Sequence, residues 1–179
     1  ARHRSLAQPG FFVNGSRVLL SPDLTNRVVS DGEPISGRSV VYWVAQRMRR
    51  QASKLSGLVR LPDGGLRTNR KFSWKGIRSC NFGVWRTDFE RVNGFDESFV
   101  GWGHEDADFV LRLHNSGVSR KNGFCATEVF HLWHPEAARN QESKNAAVVR
   151  ARATTTVTQP TLGYSQKRIN DDVLITTLG

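Results

Sequence analysis

The chain has 179 residues, of which 38% are hydrophobic and 9% aromatic, and this suits one domain with a buried core. It contains no run of about 18 apolar residues, which excludes a membrane-spanning helix. The net charge of +10 is uneven, because residues 1–80 hold 15 Lys and Arg against 4 Asp and Glu, whereas residues 81–179 hold 11 against 12. A basic half suits nucleic acid, an anionic membrane surface or an anionic substrate, and charge alone does not separate them.

The first residues and the cysteines bear on the origin of the chain and its compartment. Residues 1–4 contain no starting Met and no apolar signal region, so we expect a fragment or a processed chain. Cys80 and Cys125 lie far apart without metal-type spacing, which favours buried free thiols over a disulfide. This usage predicts a reducing, cytoplasmic location.

Two early segments predict scaffold without visible chemistry. Residues 17–20 predict a short buried strand, and Ser21 followed by Pro22 is typical of the N-cap and first position of a helix. Residues 31–38 are rich in Gly, Pro and Ser and predict a connector.

A basic amphipathic helix is predicted over residues 39–55. Its apolar positions recur at helical spacing and are Val41, Val44, Met48, Ala52 and Leu55. The favoured interpretation packs this stripe on a sheet. The alternative rests the helix on an anionic membrane at the inner face of the plasma membrane.

The central region begins with a basic, Gly-rich loop over residues 56–75, followed by a predicted strand over residues 76–85 and a short helix beginning near Thr87. Asn81 interrupts the apolar strand. Its amide faces an active site or is buried and satisfied by the backbone, and the residues favour neither alternative.

A glycine turn followed by an acidic helix start is the most informative stretch. Trp102 stands between Gly101 and Gly103 and offers a flat face of the kind that stacks on a sugar. After it, Glu105, Asp106 and Asp108 fall in the first turn of a helix that ends near Gly117, where the helix dipole keeps carboxylates ionised. Taken alone, this pattern more often indicates an acidic capped helix start, and capping is the role expected of Asp108.

A later strand, over residues 124–130, leads to two histidines. His131 and His134 are separated by two residues beside the strand end, a spacing that suits one divalent cation but also occurs as a polar surface feature. Gly117 and residues 122–123 mark turns around a short edge segment. From Glu136 onwards the tail has predicted helical segments at residues 137–138 and 146–149 and no visible chemistry, and it packs across the sheet or frays.

Four segments taken together resemble the C-terminal, acceptor-side half of GT-A glycosyltransferases, of the family 2 type and the galactosyltransferase group with its Gly-Trp-Gly-x-Glu-Asp signature. The segments are residues 81–86, 92–97, 101–106 and 131–134. The resemblance implies an α/β fold with a mixed sheet and flanking helices, in which residues 1–179 form a single partial domain. Its parts would be a basic region (1–75), an acceptor and metal core (76–135) and a helical tail (136–179).

The resemblance also implies roles for individual residues. Asp106 would be the base and Glu105 would orient the acceptor. Further contacts to substrate are implied for Trp102, Gly101, Gly103, His104 and Asn81. His134 matches a histidine ligand of the catalytic manganese in the galactosyltransferase group, and His131 takes a position where a related enzyme uses methionine, so the implied cofactor is Mn²⁺ or Mg²⁺.

No Asp-x-Asp precedes Glu105, although such a motif holds the metal and the donor in the resembling enzymes. We therefore expect the donor-binding half to be missing and to lie upstream of Ala1, and the isolated chain to be inert in that case.

The function implied is inverting transfer of a sugar from a nucleotide-diphosphate sugar to a hydroxyl of a glycan or glycolipid. The alternatives are a non-catalytic glycan- or anion-binding module and, less favoured, a basic nucleic-acid-binding protein. No aromatic interleaving or nucleic-acid module is present, so nucleic acid is not an expected partner.

Overall fold

A computed structural model describes residues 2–77, 79–136 and 138–167. The chain divides into two compact units. The first, called here the sheet unit, comprises residues 2–69, 79–83 and 120–136, and the second, the helical unit, comprises residues 70–77, 84–119 and 138–167. Each unit is built from segments that are distant in the sequence.

Short elements dominate the described residues. The helices are α1 (Arg2–Leu6), α2 (Pro22–Val29), α3 (Val40–Met48), α4 (Arg86–Arg91), α5 (Glu105–Asn115), α6 (Glu142–Arg152) and α7 (Tyr164–Lys167). The strands are β1 (Phe11–Asn14), β2 (Arg17–Leu19), β3 (Thr68–Asn69), β4 (Phe82–Gly83), β5 (Ser119–Asn122) and β6 (Val129–His131). Among the described residues, no helix is long and apolar enough to cross a membrane.

The strands form two sheets. One has the order β3-β5-β1-β4, in which β1 pairs antiparallel with β4 and β3 pairs antiparallel with β5. The other pairs β2 with β6 in parallel, with Val18 opposite Phe130. The α/β prediction is therefore confirmed. The segment predicted at an edge, β5, lies inside its sheet instead.

Local signals at β2 and α2 are confirmed. The strand predicted over residues 17–20 is β2, and Leu20 continues it as a bridge to Ala52. Ser21 is the N-cap of α2, and its Oγ accepts a hydrogen bond from the N–H of Leu24 at 3.1 Å. The hydroxyl thereby satisfies a helix N–H that has no partner within the helix.

The face predicted for the basic helix is wrong. Helix α3 ends at Met48, and Val41 and Met48 are 77% and 80% exposed, whereas Trp43 and Gln46 are buried. The Trp43 ring stacks on Phe130 of β6, with centroids 4.4 Å apart. A tryptophan buries more apolar area than a valine, so the aromatic side chain decides which face of the helix packs.

Two predicted strands are shorter in the structure. Only Phe82–Gly83 of the segment 76–85 is a strand, because a 3₁₀ turn at Ser79–Asn81 precedes it. Only Val129–His131 forms β6, since the N–H groups of Ala126 and Thr127 both donate to the carbonyl of Gly123 in a turn.

The basic loop predicted over residues 56–75 contains ordered structure. Arg67 is buried, and its guanidinium donates to four carbonyl oxygens at 2.7–2.8 Å, those of Leu61, Pro62, Asn122 and Phe124. This arginine closes the loop on the turn after β5. Its guanidinium is therefore engaged by the protein itself.

Both cysteines are free, as predicted. Cys125 is buried, and burial raises the pKa of its thiol. Cys80 is exposed, so the prediction of two buried thiols is wrong for that residue.

Aromatic residues form the packing centre of the helical unit. Phe95 stacks on Phe109 of α5 with centroids 4.4 Å apart, and Phe89 of α4 lies 5.7 Å from Phe109 and 5.9 Å from Tyr164. The glycine at position 94 has φ +70°, and a side chain there would meet Phe89 at 2.9 Å. The glycine thus allows the turn to reverse close against the aromatic rings.

A buried ion network lies beside these rings. Asp108 and Arg112 are fully buried and joined by a 2.8 Å bond from Nε to Oδ2, and Arg152 of α6 donates at 2.6 Å to Asp108 Oδ1 and at 2.8 Å to Asp96 Oδ2. Arg112 also donates to the carbonyls of Val92 and Gly94. The negative charges of two carboxylates are thus compensated by the positive charges of two guanidiniums, because charges taken out of water are costly unless they are paired.

Asp108 was predicted to cap its helix, but the structure shows a different role. Its carboxylate accepts hydrogen bonds from Arg112 and Arg152 and links α5 to α6. The tail predicted to have no chemistry supplies one of these partners. Within the tail, the helical prediction holds for residues 146–149, whereas Ala138 is not helical and Ala137 lies outside the described residues.

Asp96 fixes the turn before α5. It is buried and accepts from the N–H groups of Ser98, Thr161 and Leu162 at 3.0, 2.9 and 3.2 Å, besides Arg152. Burial alone would raise the pKa of this carboxyl, but the hydrogen bonds from Ser98, Thr161 and Arg152 hold it well below its usual range.

We predict that Asp108→Asn lowers the free energy of unfolding by about 3–5 kcal/mol, because it leaves the fully buried guanidinium of Arg112, and the partly exposed one of Arg152, without their shared carboxylate. Glu90→Gln is the matched control, since Glu90 forms an exposed i,i+4 pair with Arg86 and should cost less than about 0.5 kcal/mol. Urea unfolding followed by circular dichroism gives both values. Equal losses in the two variants would contradict a structural role for Asp108.

We predict that Asp96 makes the free energy of unfolding depend on pH in the acidic range. Its folded pKa lies below the unfolded value of about 3.9, so its contribution is complete above about pH 5 and falls as the pH drops towards the folded pKa. Asp96→Asn should be less stable than wild type at neutral pH and should lose less on acidification. Parallel curves for the two proteins between about pH 6 and pH 3 would refute this coupling.

Candidate functional site

The chain enters α5 through a strained turn in the helical unit. Gly101 and Gly103 have φ values of +79° and +99°, and His104, the N-cap residue, has φ +70°. Side chains are unfavourable at the two glycine positions in this conformation, which explains both glycines. A left-handed histidine at the helix start is uncommon and indicates that surrounding structure holds the turn.

The two acidic residues that open α5 have different surroundings. Glu105 Oε2 is a buried oxygen that lacks a hydrogen-bond donor among the described residues. As whole residues, Glu105 and Asp106 are both partly exposed. Both stand in the first turn of an 11-residue helix, at the positive end of its dipole. A buried carboxylate oxygen without a donor is a group that a bound hydroxyl can satisfy.

Helix α6 holds the glycine turn in place. The side-chain amide of Asn145, which is buried, donates to the carbonyl of Gly103 at 2.9 Å and to that of Val100 at 3.3 Å. In addition, a side chain at position 101 would meet Gln141 at 3.2 Å. The turn therefore needs α6 as well as its own glycines.

Trp102 is partly covered by an arginine. The ring is 40% exposed, and the guanidinium of Arg139 lies 4.4 Å from its centroid, within the range of a cation–π contact. Arg139 also lies 4.0 Å from the Glu142 carboxylate. The indole thus presents part of its surface to solvent and part to a cation.

The histidine pair lies in the sheet unit. His131 ends β6, and its ring centroid is 5.2 Å from that of His134. His134 Nδ1 lies 2.9 Å from the carbonyl oxygen of Pro135, and since a carbonyl only accepts, Nδ1 is the donor of this bond; in the neutral ring this leaves the lone pair on Nε2. Burial, with Arg17 and His134 nearby, lowers the pKa of His131 and favours the neutral, ligating form.

These two imidazoles fit part of a divalent cation site. Neutral ring nitrogens are donors that such cations accept, and the carbonyl contact fixes the tautomer that leaves Nε2 available. No group of three or more His, Cys, Asp and Glu side chains suited to a metal occurs in the described part of the chain. A complete site would need a further ligand.

Asn81 is satisfied inside the sheet unit. Its Nδ2 donates to the carbonyls of Ser16 and Thr127 at 2.7 and 2.6 Å, and its Oδ1 lies 2.7 Å from His3 Nε2. A side chain at Gly15 would meet this amide at 2.3 Å. Of the two alternatives for Asn81, these contacts favour the buried, satisfied amide, and substrate binding there stays a prediction.

The predicted residues thus fall into two groups. The turn and the acidic residues, from Gly101 to Asp106, lie together in the helical unit, whereas Asn81, His131 and His134 belong to the sheet unit. Sequence reasoning missed Asn145, Arg139 and Arg152, because nothing in the tail marks a residue that contacts a segment 37 or more positions earlier.

Residues 66–135 match the model of a family described as the N-terminal domain of galactosyltransferase. This range contains both the glycine turn with its carboxylates and the histidine pair. The match supports a glycosyltransferase domain in this chain, and the mixed α/β fold is consistent with one. The assignment to the C-terminal portion of a GT-A fold stays a prediction.

Two curated relatives are validoxylamine A glucosyltransferases of Streptomyces hygroscopicus, from subspecies jinggangensis (strain 5008) and subspecies limoneus. Each is 44% identical over 45 residues, which is 25% of this chain and 11% and 10% of the respective relative. The chain therefore matches about a tenth of the length of these relatives. No solved structure matches the chain.

Proposed function

We propose that this chain is the acceptor-side part of an inverting glycosyltransferase, which moves a sugar from a nucleotide-diphosphate sugar to a hydroxyl of a glycan or glycolipid. The observation that carries the proposal is Glu105 Oε2, a buried oxygen without a donor, at a turn inside the segment that matches a galactosyltransferase domain. Glucose and galactose are the donor sugars to test first, given the names of the matching proteins.

Asp106 is the proposed base. Its carboxylate would take the proton of the acceptor hydroxyl as the hydroxyl oxygen attacks the anomeric carbon and the nucleotide diphosphate leaves from the opposite side. One displacement inverts the configuration at that carbon. Partial exposure lets an acceptor reach Asp106, which stands at the positive end of the helix dipole.

Glu105 is the proposed orienting residue. Its buried oxygen would accept a hydrogen bond from a second hydroxyl of the acceptor, which would fix the attacking hydroxyl near Asp106. The exposed part of the Trp102 ring would lie against the sugar, with Gly101, Gly103 and His104 shaping the turn.

His134, with His131, is proposed to hold a divalent cation, Mn²⁺ or Mg²⁺, together with an acidic motif in the donor-binding half that the resemblance implies. Such a cation supplies Lewis-acid stabilisation of the leaving diphosphate. The residues of this chain contribute neutral nitrogens, and the Pro135 carbonyl orients one of them.

We predict that Asp106→Asn lowers kcat by about 100-fold or more while donor binding hardly changes, because the amide keeps the shape and loses the basicity. Glu105→Gln should raise the acceptor KM and also lower kcat, since an orienting group contributes in the ground state. Steady-state kinetics with protein that includes the donor-binding half measures both effects.

Asp108→Asn separates chemistry from folding in the same assay. Because Asp108 is buried in the ion network, its variant should lose stability in circular dichroism, and its folded fraction should retain the wild-type KM. Near-normal kcat in Asp106→Asn would show that the base has been assigned to the wrong residue.

We predict that chelation abolishes activity, that Mn²⁺ restores it, and that His134→Ala weakens this dependence more than His131→Ala does. His114→Ala is the control, since His114 lies in α5 and its ring lies 5.5 Å from that of Phe72. Activity against total Mn²⁺ gives an apparent affinity for each variant. Full activity in chelator would remove the metal from the proposal.

A screen for release of nucleotide diphosphate tests the function as a whole. The substrates are nucleotide-diphosphate glucose and galactose with a panel of glycan and glycolipid acceptors. Acceptor-dependent release supports the transferase. Saccharide binding to the same protein without any release would instead favour the non-catalytic binding module.

A further inference from the structure

Helix α3 exposes an apolar stripe. Val40, Val41, Val44 and Met48 are 60%, 77%, 41% and 80% exposed, respectively. At about 100° per residue these four positions cover an arc of about 100° on one side of the helix. Four large apolar side chains so close together on a nine-residue helix form a continuous surface, called here the α3 stripe.

The opposite side of α3 is firmly attached to the sheet unit. Trp43 packs in a cluster with Val18, Leu20 and Leu24, and Gln46 accepts a hydrogen bond from Arg27 at 3.1 Å. Tyr42 donates to Glu33 at 2.7 Å. Because these contacts occupy the other side, the α3 stripe cannot turn inward without losing the packed aromatic face.

The surrounding sequence is basic throughout. Between Glu33 and Asp63 there are six Lys and Arg residues and no Asp or Glu. Arg47, Arg49 and Arg50 are exposed, and the helical period places Arg47 directly beside the Val40 end of the stripe. Apolar side chains bordered by cations are typical of a helix that lies in a lipid–water interface.

We propose that the α3 stripe docks this protein on an anionic lipid surface, with the valines and Met48 in the acyl boundary and the arginines at the lipid headgroups. The observations favour lipid over the other occupants. Two copies joined through this stripe would bring their arginine clusters together, which like charges oppose. Nucleic acid would pair with the arginines but would leave the apolar side chains in water.

Helix α3 therefore combines an exposed apolar face with packed contacts on its other side. The stacked Trp43 and Phe130 rings join it to β6, the strand that ends in His131.

Co-sedimentation with vesicles tests the proposal. One set of vesicles contains phosphatidylcholine only, and the other contains phosphatidylcholine mixed with phosphatidylglycerol. We expect binding to the anionic set at about 0.1 M salt, a clear loss of binding at about 1 M salt, and little binding to the neutral set.

Two variants and two matched controls locate the surface. Val41→Ser with Met48→Ser removes the stripe, and Val100→Ser with Val148→Ser removes two exposed apolar residues of the helical unit, 70% and 41% exposed. Arg47→Glu with Arg49→Glu reverses local charge, and Lys144→Glu with Arg150→Glu reverses the same charge on exposed positions of α6. We expect at least about a tenfold loss of partitioning in the first variant of each pair and less than about a twofold change in its control.

Several outcomes would overturn the proposal. These are no binding of the wild type to anionic vesicles, unchanged binding in the stripe variant with circular dichroism unaltered, or equal loss in both charge reversals. Sedimentation velocity without vesicles tests whether a second copy of the chain binds to the α3 stripe. Self-association that the stripe variant abolishes would assign the surface to a second copy of the chain instead.

Discussion

The shared carboxylate of Asp108 is the constraint on which the helical unit depends. Asp108 and Arg112 have no exposed surface, so each would be costly to bury alone. Arg152 of α6 donates hydrogen bonds to the same carboxylate and to that of Asp96. The Asp96 carboxylate also accepts hydrogen bonds from the N–H groups of Thr161 and Leu162. One network therefore ties α5, α6, the turn before α5 and the segment after α6. Such a network fixes the relative positions of these segments more than it adds to the free energy of unfolding, because desolvation of the four charges offsets most of their attraction.

That geometry is what the candidate site requires. The turn at Gly101–Gly103 has left-handed residues, which tend to relax unless neighbours hold them. Asn145 of α6 holds the turn by donating hydrogen bonds to the carbonyls of Gly103 and Val100. Since Arg152 lies on the same helix, the ion network fixes α6, and α6 fixes the turn. The tail is thus part of the site's framework, although the sequence around it shows only an ordinary helical pattern.

Sequence reasoning succeeded where the signal is local. The N-cap at Ser21 and the acidic start of α5 each depend on a few consecutive residues. It failed at α3, where the choice between two possible faces depends on which one finds a partner. Phe130, 87 positions after Trp43, supplies that partner. The hydrophobic periodicity of the helix contains no information about such a distant residue. The strand predicted over residues 76–85 failed similarly, because the Asn81 amide bonds to carbonyls contributed by distant segments.

The three carboxylates at the start of α5 separate by helical position. Asp108 faces inward, towards Arg112 one turn later. At about 100° per residue, Glu105 lies about 60° from that direction and Asp106 about 160° from it. Glu105 therefore stands at the border of the packed face, where its Oε2 is buried although the residue as a whole is partly exposed. Asp106 is also partly exposed and lies on the opposite side of the helix from the buried ion pair. Asp108 is committed to holding the helix, so the helical period alone gives three carboxylates of one turn three different environments.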